Sequence, residues 1–292
     1  MIAVKFHNGQ GLGNQLFCYI TTRSLAYDLG MDHHIFNAKD FGAPRWNSEG
    51  IYFMDIPLKE SKINESEFSL YQEKEKRIFS NNNIHDKKIG CDIRDFDSNL
   101  FNIKPYTLID GILQSEKYFI HNKELIKKWL KVKNEYESLE FYSNDLCIIN
   151  FRGGEYVGQK ELYLNPNYFK KAISEMKKIN SSMKFIVITD DVFAAKKYFK
   201  DFPCYHFDIA KDYVSIKNAK YLILSNSSFP YFAVLTNEVV EFIIAPKYWA
   251  RYNISSGYWS TEQNIYSGWN YLDRNGKIFS ADKCREENAN FK

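Results

Sequence analysis

The chain is expected to fold as an α/β protein of two domains, each built on a parallel sheet and divided at residues 1–140 and 141–292. Three observations lead there. A short apolar strand at 2–6 runs straight into a glycine loop and a helix. The run Leu146-Cys147-Ile148-Ile149-Asn150-Phe151 is apolar almost throughout, as a parallel strand buried on both faces must be. Strands alternate with helices on both sides of position 140, the pattern of βαβ units.

Taken in order, Ile2-Ala3-Val4-Lys5-Phe6 is the first strand and Asn8-Gly9-Gln10-Gly11-Leu12-Gly13-Asn14-Gln15 the loop. A helix from Leu16 to about 28 and a strand at 34–36 follow. The 59–92 stretch is charge-dense and carries the turn signal Ser80-Asn81-Asn82-Asn83, which reads as exposed helix and loop away from function. Order returns with a strand at 106–111 and an amphipathic helix at 122–136. Beyond the 146–151 strand come a helix at 166–179, a strand at 185–188, a helix at 192–198, and strands at 221–224 and 241–245, the last closed by Pro246.

Bulk properties exclude several classes. The 292 residues are 45% hydrophobic and 26% charged, a globular composition long enough for a sizeable core. With 39 basic against 36 acidic residues the net charge is +3, so no nucleic-acid partner is indicated. The first strand leaves no room for a signal peptide, and the most apolar stretch, 221–235, is broken by Ser225, Asn226, Ser227, Ser228 and Pro230. Cys18, Cys91, Cys147, Cys204 and Cys284 are far apart, odd in number and without a C-x-x-C pair, which suits reduced thiols. A cytoplasmic protein without a transmembrane segment is expected.

The N-terminal glycine loop suits a phosphate or a sugar, because glycine lets the backbone approach closely and the following helix start offers N–H groups. A tight βα turn without a ligand fits the same residues. Neither familiar nucleotide motif is present. The third glycine of G-x-G-x-x-G would fall at Asn14, and the Gly-Lys-Ser/Thr of a P-loop is replaced by Asn14-Gln15-Leu16. The stronger signal is in the second half, where three polar segments follow three strands: Asn150-Phe151-Arg152-Gly153-Gly154-Glu155, Thr189-Asp190-Asp191 and Ser225-Asn226-Ser227-Ser228. Parallel sheets bind ligands beyond their carboxyl ends, so all three can converge on one crevice. Arg152 there can grip a diphosphate or pair with a nearby carboxylate. Ser227 and Ser228 can donate to phosphates or cap a helix. Asp190 and Asp191 can hold a divalent metal, or one can accept from a guanine edge while the other caps a helix. The lack of a spaced D-x-D favours the metal-free reading.

These segments resemble the α-1,2-fucosyltransferases of glycosyltransferase family 11. The glycine loop is similar to that family's G-G-L-G-N-Q-hydrophobic-F opening, and Gly111-Ile112-Leu113-Gln114-Ser115-Glu116-Lys117-Tyr118-Phe119 to its G-Y-x-Q-S-E-x-Y-F. Thr189-Asp190-Asp191 resembles its S-D-D, Ser225-Asn226-Ser227-Ser228-Phe229-Pro230-Tyr231-Phe232 its A-N-S-S-F-S-W-W, and Ala245-Pro246-Lys247-Tyr248-Trp249 its A-P-x-x-W. The five segments keep the family's order across residues 8–249. The resemblance implies a GT-B-like architecture, two Rossmann-type domains facing across a cleft. It implies a GDP-sugar donor, most simply GDP-fucose, and a glycan acceptor such as galactose. Inversion would be direct, with no metal and no cofactor beyond the donor itself.

On this reading donor-binding residues are Gly11, Gly13, Asn14, Gln15, Asn150, Arg152, Gly153, Asp190, Asp191, Asn226, Ser227, Ser228 and Phe229. His7, Gln114 and Glu116 belong to the acceptor side. Arg152 and Glu155 carry catalysis, Glu155 as the base, with Glu116 and His7 in reserve. One departure stands out. The family's H-x-R-R-x-D is here Asn150-Phe151-Arg152-Gly153-Gly154-Glu155, so one cation is lost unless Lys160 or another base replaces it. That loss leaves open a relative using another GDP-sugar, or a carbohydrate- or nucleotide-binding protein without catalysis.

Overall fold

A computed structural model describes residues 1–7, 9–41, 50–57, 63–74, 96–160, 162–250, 252–253 and 264–290. Asn8, Cys91 and most of the charge-dense 59–92 stretch lie outside the described residues. The chain divides into two compact units, the first holding residues up to Asn134 together with Asn264, the second the remaining described residues from Glu135 onward. Both are α/β units on parallel sheets, as expected.

In the first unit β1 (Ile2–Lys5), α1 (Leu12–Asp28), β2 (His33–Phe36), β3 (Ser69–Gln72), β4 (Thr107–Asp110) and α2 (Lys123–Trp129) are the main elements. The sheet order is β2-β1-β4-β3, parallel throughout. α1 buries Leu12, Leu16, Phe17, Ile20 and Leu25. Ala3, Phe36 and Leu108 form a separate cluster covered by Ile63 and Phe68.

Three local expectations are corrected here. α1 begins at Leu12, not Leu16, so Gly13, Asn14 and Gln15 are helical and not loop. Gly11 adopts the extended cap conformation, and Gln15 N already donates to Gly11 O at 3.1 Å. The helix expected at 122–136 stops at Trp129 because the next residues bond elsewhere: Met54 pairs with Val132, and Lys133 N donates to Phe53 O. Residues 69–72 form an edge strand within a segment read as helix and loop. Their side chains are mostly exposed, and only the pairing with β4 makes them a strand.

Glu73 follows that strand and is 1% exposed. Its Oε2 accepts from Ile112 N and Leu113 N, both at 3.0 Å, and its Oε1 from Tyr118 Oη at 3.0 Å. A Cβ at Gly111 would lie 2.5 Å from Glu73 Cβ, so glycine is required there for the carboxylate to approach. Leu113, fully buried, holds φ +53°, a conformation costing roughly 1–2 kcal/mol for an L residue. The Glu73 bond and Thr21 Oγ1 donating to Leu113 O at 3.3 Å hold it there.

The second unit contains β5 (Leu146–Phe151), α3 (Pro166–Ile179), β6 (Lys184–Thr189), α4 (Val192–Tyr198), β7 (Cys204–Tyr205) and α5 (Ile209–Lys217). β8 (Tyr221–Leu224), α6 (Phe229–Leu235), β9 (Phe242–Pro246), β10 (Asn270–Leu272), β11 (Ile278–Ser280) and α7 (Ala281–Ala289) complete it. Its sheet runs β11-β10-β9-β8-β5-β6-β7, parallel except for the antiparallel edge strand β11. Counted from β5 this is the doubly wound order 3-2-1-4-5-6, whose topology reverses between β5 and β8. Residues 135–140 are tied to this unit through Lys217–Glu137 and Lys211–Glu140 ion pairs and Asn218 Nδ2 donating to Ser138 O at 2.7 Å. No described helix is long and apolar enough to cross a membrane.

Replacing Glu73 by Ala removes the acceptor of the Ile112 and Leu113 N–H groups and of the Tyr118 hydroxyl. A loss of about 3 kcal/mol in urea unfolding is expected, since each unmade buried bond costs roughly 1–3 kcal/mol.

Candidate functional site

The three polar segments of the second unit stand where their strands end. Arg152 follows β5, Asp190 and Asp191 follow β6, and Ser225 follows β8, around the switch point between β5 and β8. Asp190 joins the first two: its Oδ1 accepts from Gly153 N at 2.7 Å, and its Oδ2 takes Nη1 of Arg152. The other terminal nitrogen, Nη2, lies 2.8 Å from Glu155 Oε1. The Tyr156 ring sits 5.3 Å from the guanidinium carbon, a cation–π distance. Arg152 is therefore bonded to two carboxylates, and Glu155, the expected base, is one of them. Asp191 caps α4, its Oδ1 accepting from Ala194 N at 2.9 Å.

The glycine pair is a packing requirement of this junction. A Cβ at Gly153 would lie 2.6 Å from Asp191 Cβ, and one at Gly154, which has φ +42°, would lie 2.5 Å from Asp190 Oδ2. The site thus has no room for a second arginine at 153 without backbone movement.

Across the ladder Ser225 N donates to Asn150 O at 3.0 Å. Asn150 Oδ1 and Ser225 Oγ are buried with no hydrogen-bond partner among the described residues, although both residues are more than nine-tenths buried. Such atoms are costly unless something meets them. Asn226 instead spends its amide on Leu162 O and Trp249 O at 2.8 and 2.6 Å, tying two loops together. Ser227 Oγ accepts from Phe229 N at 3.2 Å, Ser228 is the cap residue of α6, and the Phe229 ring meets Tyr213 edge-on.

The first-unit candidates gather around the ends of β1 and β4. Gln114 Nε2 donates to Asn14 Oδ1 at 2.8 Å, joining the first turn of α1 to the segment after β4, and Asn264 Nδ2 donates to Gln114 Oε1 at 3.1 Å. Gln15 is fully buried, and its Nε2 holds Gln10 O at 2.6 Å. Its Oε1 is buried with no hydrogen-bond partner among the described residues. His7 is exposed, with its backbone N–H on Gln10 Oε1, and Glu116 is buried in a single 3-10 turn, Glu116–Tyr118. Burial pushes the Cys18 thiol, beside Gln10, up to about 12.

Sequence reasoning missed the His206–Asp212 pair. His206 follows β7, its Nδ1 3.1 Å from Asp212 Oδ2. The hydrogen bond to Asp212 raises the imidazole above its ordinary value of 6.5, helped by the Asp190 charge. No local signal marks a histidine and an aspartate six residues apart across a strand-to-helix turn. Asp190 was visible within Thr189-Asp190-Asp191, but not that it would be the carboxylate binding Arg152. Among the described residues no group of three or more His, Cys, Asp or Glu side chains is arranged to hold a metal ion.

No protein-family profile and no curated protein matches the chain. Among solved structures it is similar to NodZ alpha-1,6-fucosyltransferase soaked with GDP-fucose, at 13% identity over 96% of this chain and 98% of that one, with a TM-score of 0.49. It is also similar to apo POFUT1, at 9% identity over 80% and 94%, with a TM-score of 0.46. A glycosyl transferase family 9 protein from Veillonella parvula matches at 13% identity over 99% and 96%, with a TM-score of 0.40. At such scores these likenesses carry no argument about what this chain binds.

Gly153→Arg, which restores the motif's second cation, is expected to lose about 1–3 kcal/mol of stability by overpacking against Asp191, read as a lower Tm. His206 makes a pH test. Because its folded pKa is raised, its contribution is fully present below 6.5 and is lost as pH rises through the raised value. Unfolding measured from pH 6 to 8.5 should show that downward slope in the wild type and a flatter profile in His206→Gln.

Proposed function

We propose that the chain is an inverting, metal-independent glycosyltransferase of the cytoplasm. It moves a sugar, fucose in the first instance, from a GDP-sugar to a hydroxyl of an acceptor glycan, galactose in α-1,2 linkage being the simplest case. One observation carries the reading: Arg152, Asp190 with Asp191, and Ser225 to Ser228 follow the carboxyl ends of β5, β6 and β8 around the switch point of a doubly wound sheet, where such sheets take nucleotides. The order of five short motifs along the chain supports it.

In this mechanism the acceptor oxygen attacks the anomeric carbon from the side opposite the diphosphate. One C–O bond forms as the other breaks, GDP leaves, and the hydroxyl proton passes to a carboxylate. Arg152 stabilises charge developing on the leaving phosphate. Glu155 accepts the proton. Asp190 or Asp191 receives a guanine edge.

A second reading is a nucleotide- or glycan-binding protein without turnover. The bonding of Arg152 to two carboxylates, with no space for a second arginine, favours it.

Melting temperatures with GDP, GDP-fucose, GDP-mannose and UDP, each with and without EDTA, test the proposal. Stabilisation by GDP compounds alone, indifferent to EDTA and lost in Arg152→Ala, is expected. A response to UDP, or one abolished by EDTA, sinks the metal-free GDP-sugar reading. Stabilisation without transfer to any galactoside selects the second reading.

A further inference from the structure

We infer that Glu155 competes with the donor's phosphate for Arg152, and that an incoming diphosphate displaces Glu155 while Asp190 stays in place. The inference rests on the reading of Arg152 as a phosphate-binding group. It follows from how unlike the two carboxylates on that guanidinium are. Asp190 is 22% exposed and serves two chain segments, taking Nη1 of Arg152 and the Gly153 N–H at 2.7 Å, with Gly154 packed against its Oδ2. Removing it would unmake the junction between β5 and β6.

Glu155 is 69% exposed and, among the described residues, its carboxylate bonds only to Arg152 Nη2, at 2.8 Å. It stands on a single 3-10 turn, Gly154–Tyr156, with its side chain otherwise in solvent. An exposed pair of this kind is worth little, because water and salt screen it. A phosphate offers several charged oxygens to the same planar fork and binds it more strongly. The arginine keeps its position during the exchange, since Asp190 holds Nη1 and Tyr156 covers a face at 5.3 Å. Displacement also frees the Glu155 carboxylate from its ion pair, and the proposed function casts that carboxylate as the proton acceptor. One substitution should then have two effects of opposite sign: tighter phosphate binding and slower transfer.

The experiment is titration calorimetry of wild type, Glu155→Gln and Arg152→Gln/Glu155→Gln with GDP, inorganic pyrophosphate and guanosine. Glutamine keeps the shape and removes the charge. At about 50 mM salt, Glu155→Gln is expected to bind GDP and pyrophosphate about fivefold more tightly than wild type, a difference of about 1 kcal/mol, with the gain shrinking as salt is raised. Guanosine should be unaffected, and the double variant should show no gain. Equal or weaker GDP binding by Glu155→Gln, with wild type binding normally, overturns the competition and leaves the nucleotide reading intact. Tighter pyrophosphate binding without any GDP binding supports the competition and defeats the nucleotide-sugar reading. Failure of every protein to bind either anion overturns both.

Discussion

The carboxylate of Asp190 is the interaction on which the second unit's site depends. One oxygen takes the backbone N–H of Gly153 and the other takes Arg152, so the end of β6 organises the end of β5. Everything else at the junction follows from that approach. Gly153 and Gly154 have no Cβ because aspartate atoms occupy the space. The guanidinium is fixed at Nη1 and left with one edge facing an exposed carboxylate. Asp191, the next residue, is drawn into capping α4 and so lies against Gly153.

The first unit uses the same device at a different strand end. Glu73, just past β3, receives two backbone N–H groups from the segment after β4, and Gly111 lacks the Cβ that its approach excludes. In both units a carboxylate from one strand shapes the loop that follows its neighbour. The reason is general. Loops at the carboxyl ends of parallel strands carry N–H groups that the ladder does not satisfy, and a charged acceptor on the adjacent strand satisfies them at short range. In the first unit the result is a buried Leu113 held in a left-handed conformation and Gln114 presented to Asn14. In the second it is an arginine held at the switch point. Each of these two loops is thus held by a carboxylate carried on the neighbouring strand's end.

Buried central strands were the easiest features to read. The apolar runs of β5, β6, β8 and β9 are legible because both faces are covered, so every position reports burial. α3 was legible to the residue because Asn165 caps it, accepting from Asn167 N and Tyr168 N, and Pro166 opens its first turn. β3 was not, since its side chains are exposed and its strand character comes wholly from hydrogen bonds to β4. The start of α1 was read four residues late because three glycines signal a loop, whereas burial against the sheet carries the helix back through Gly13. α5 and the short β7, β10 and β11 lacked a pattern long enough to show. Among site residues, Arg152, Asp190, Asp191 and the serines could be placed at strand ends by counting, but their partners could not.

The sequence by itself determined the fold class, the central strands and the carboxyl-end location of the polar segments, because hydrophobic periodicity and chain direction are local properties. Tertiary structure alone decided that Arg152 is shared between Asp190 and Glu155, that Gly153 and Gly154 are packing requirements, and that Glu73, read as part of a solvated charged stretch, is a buried acceptor. Apart from the Arg152–Glu155 pair, which is three positions apart, these facts join residues 36 to 40 positions apart across neighbouring strands. Strand order and register bring them together, and both are set by long-range pairing that no short window of sequence contains.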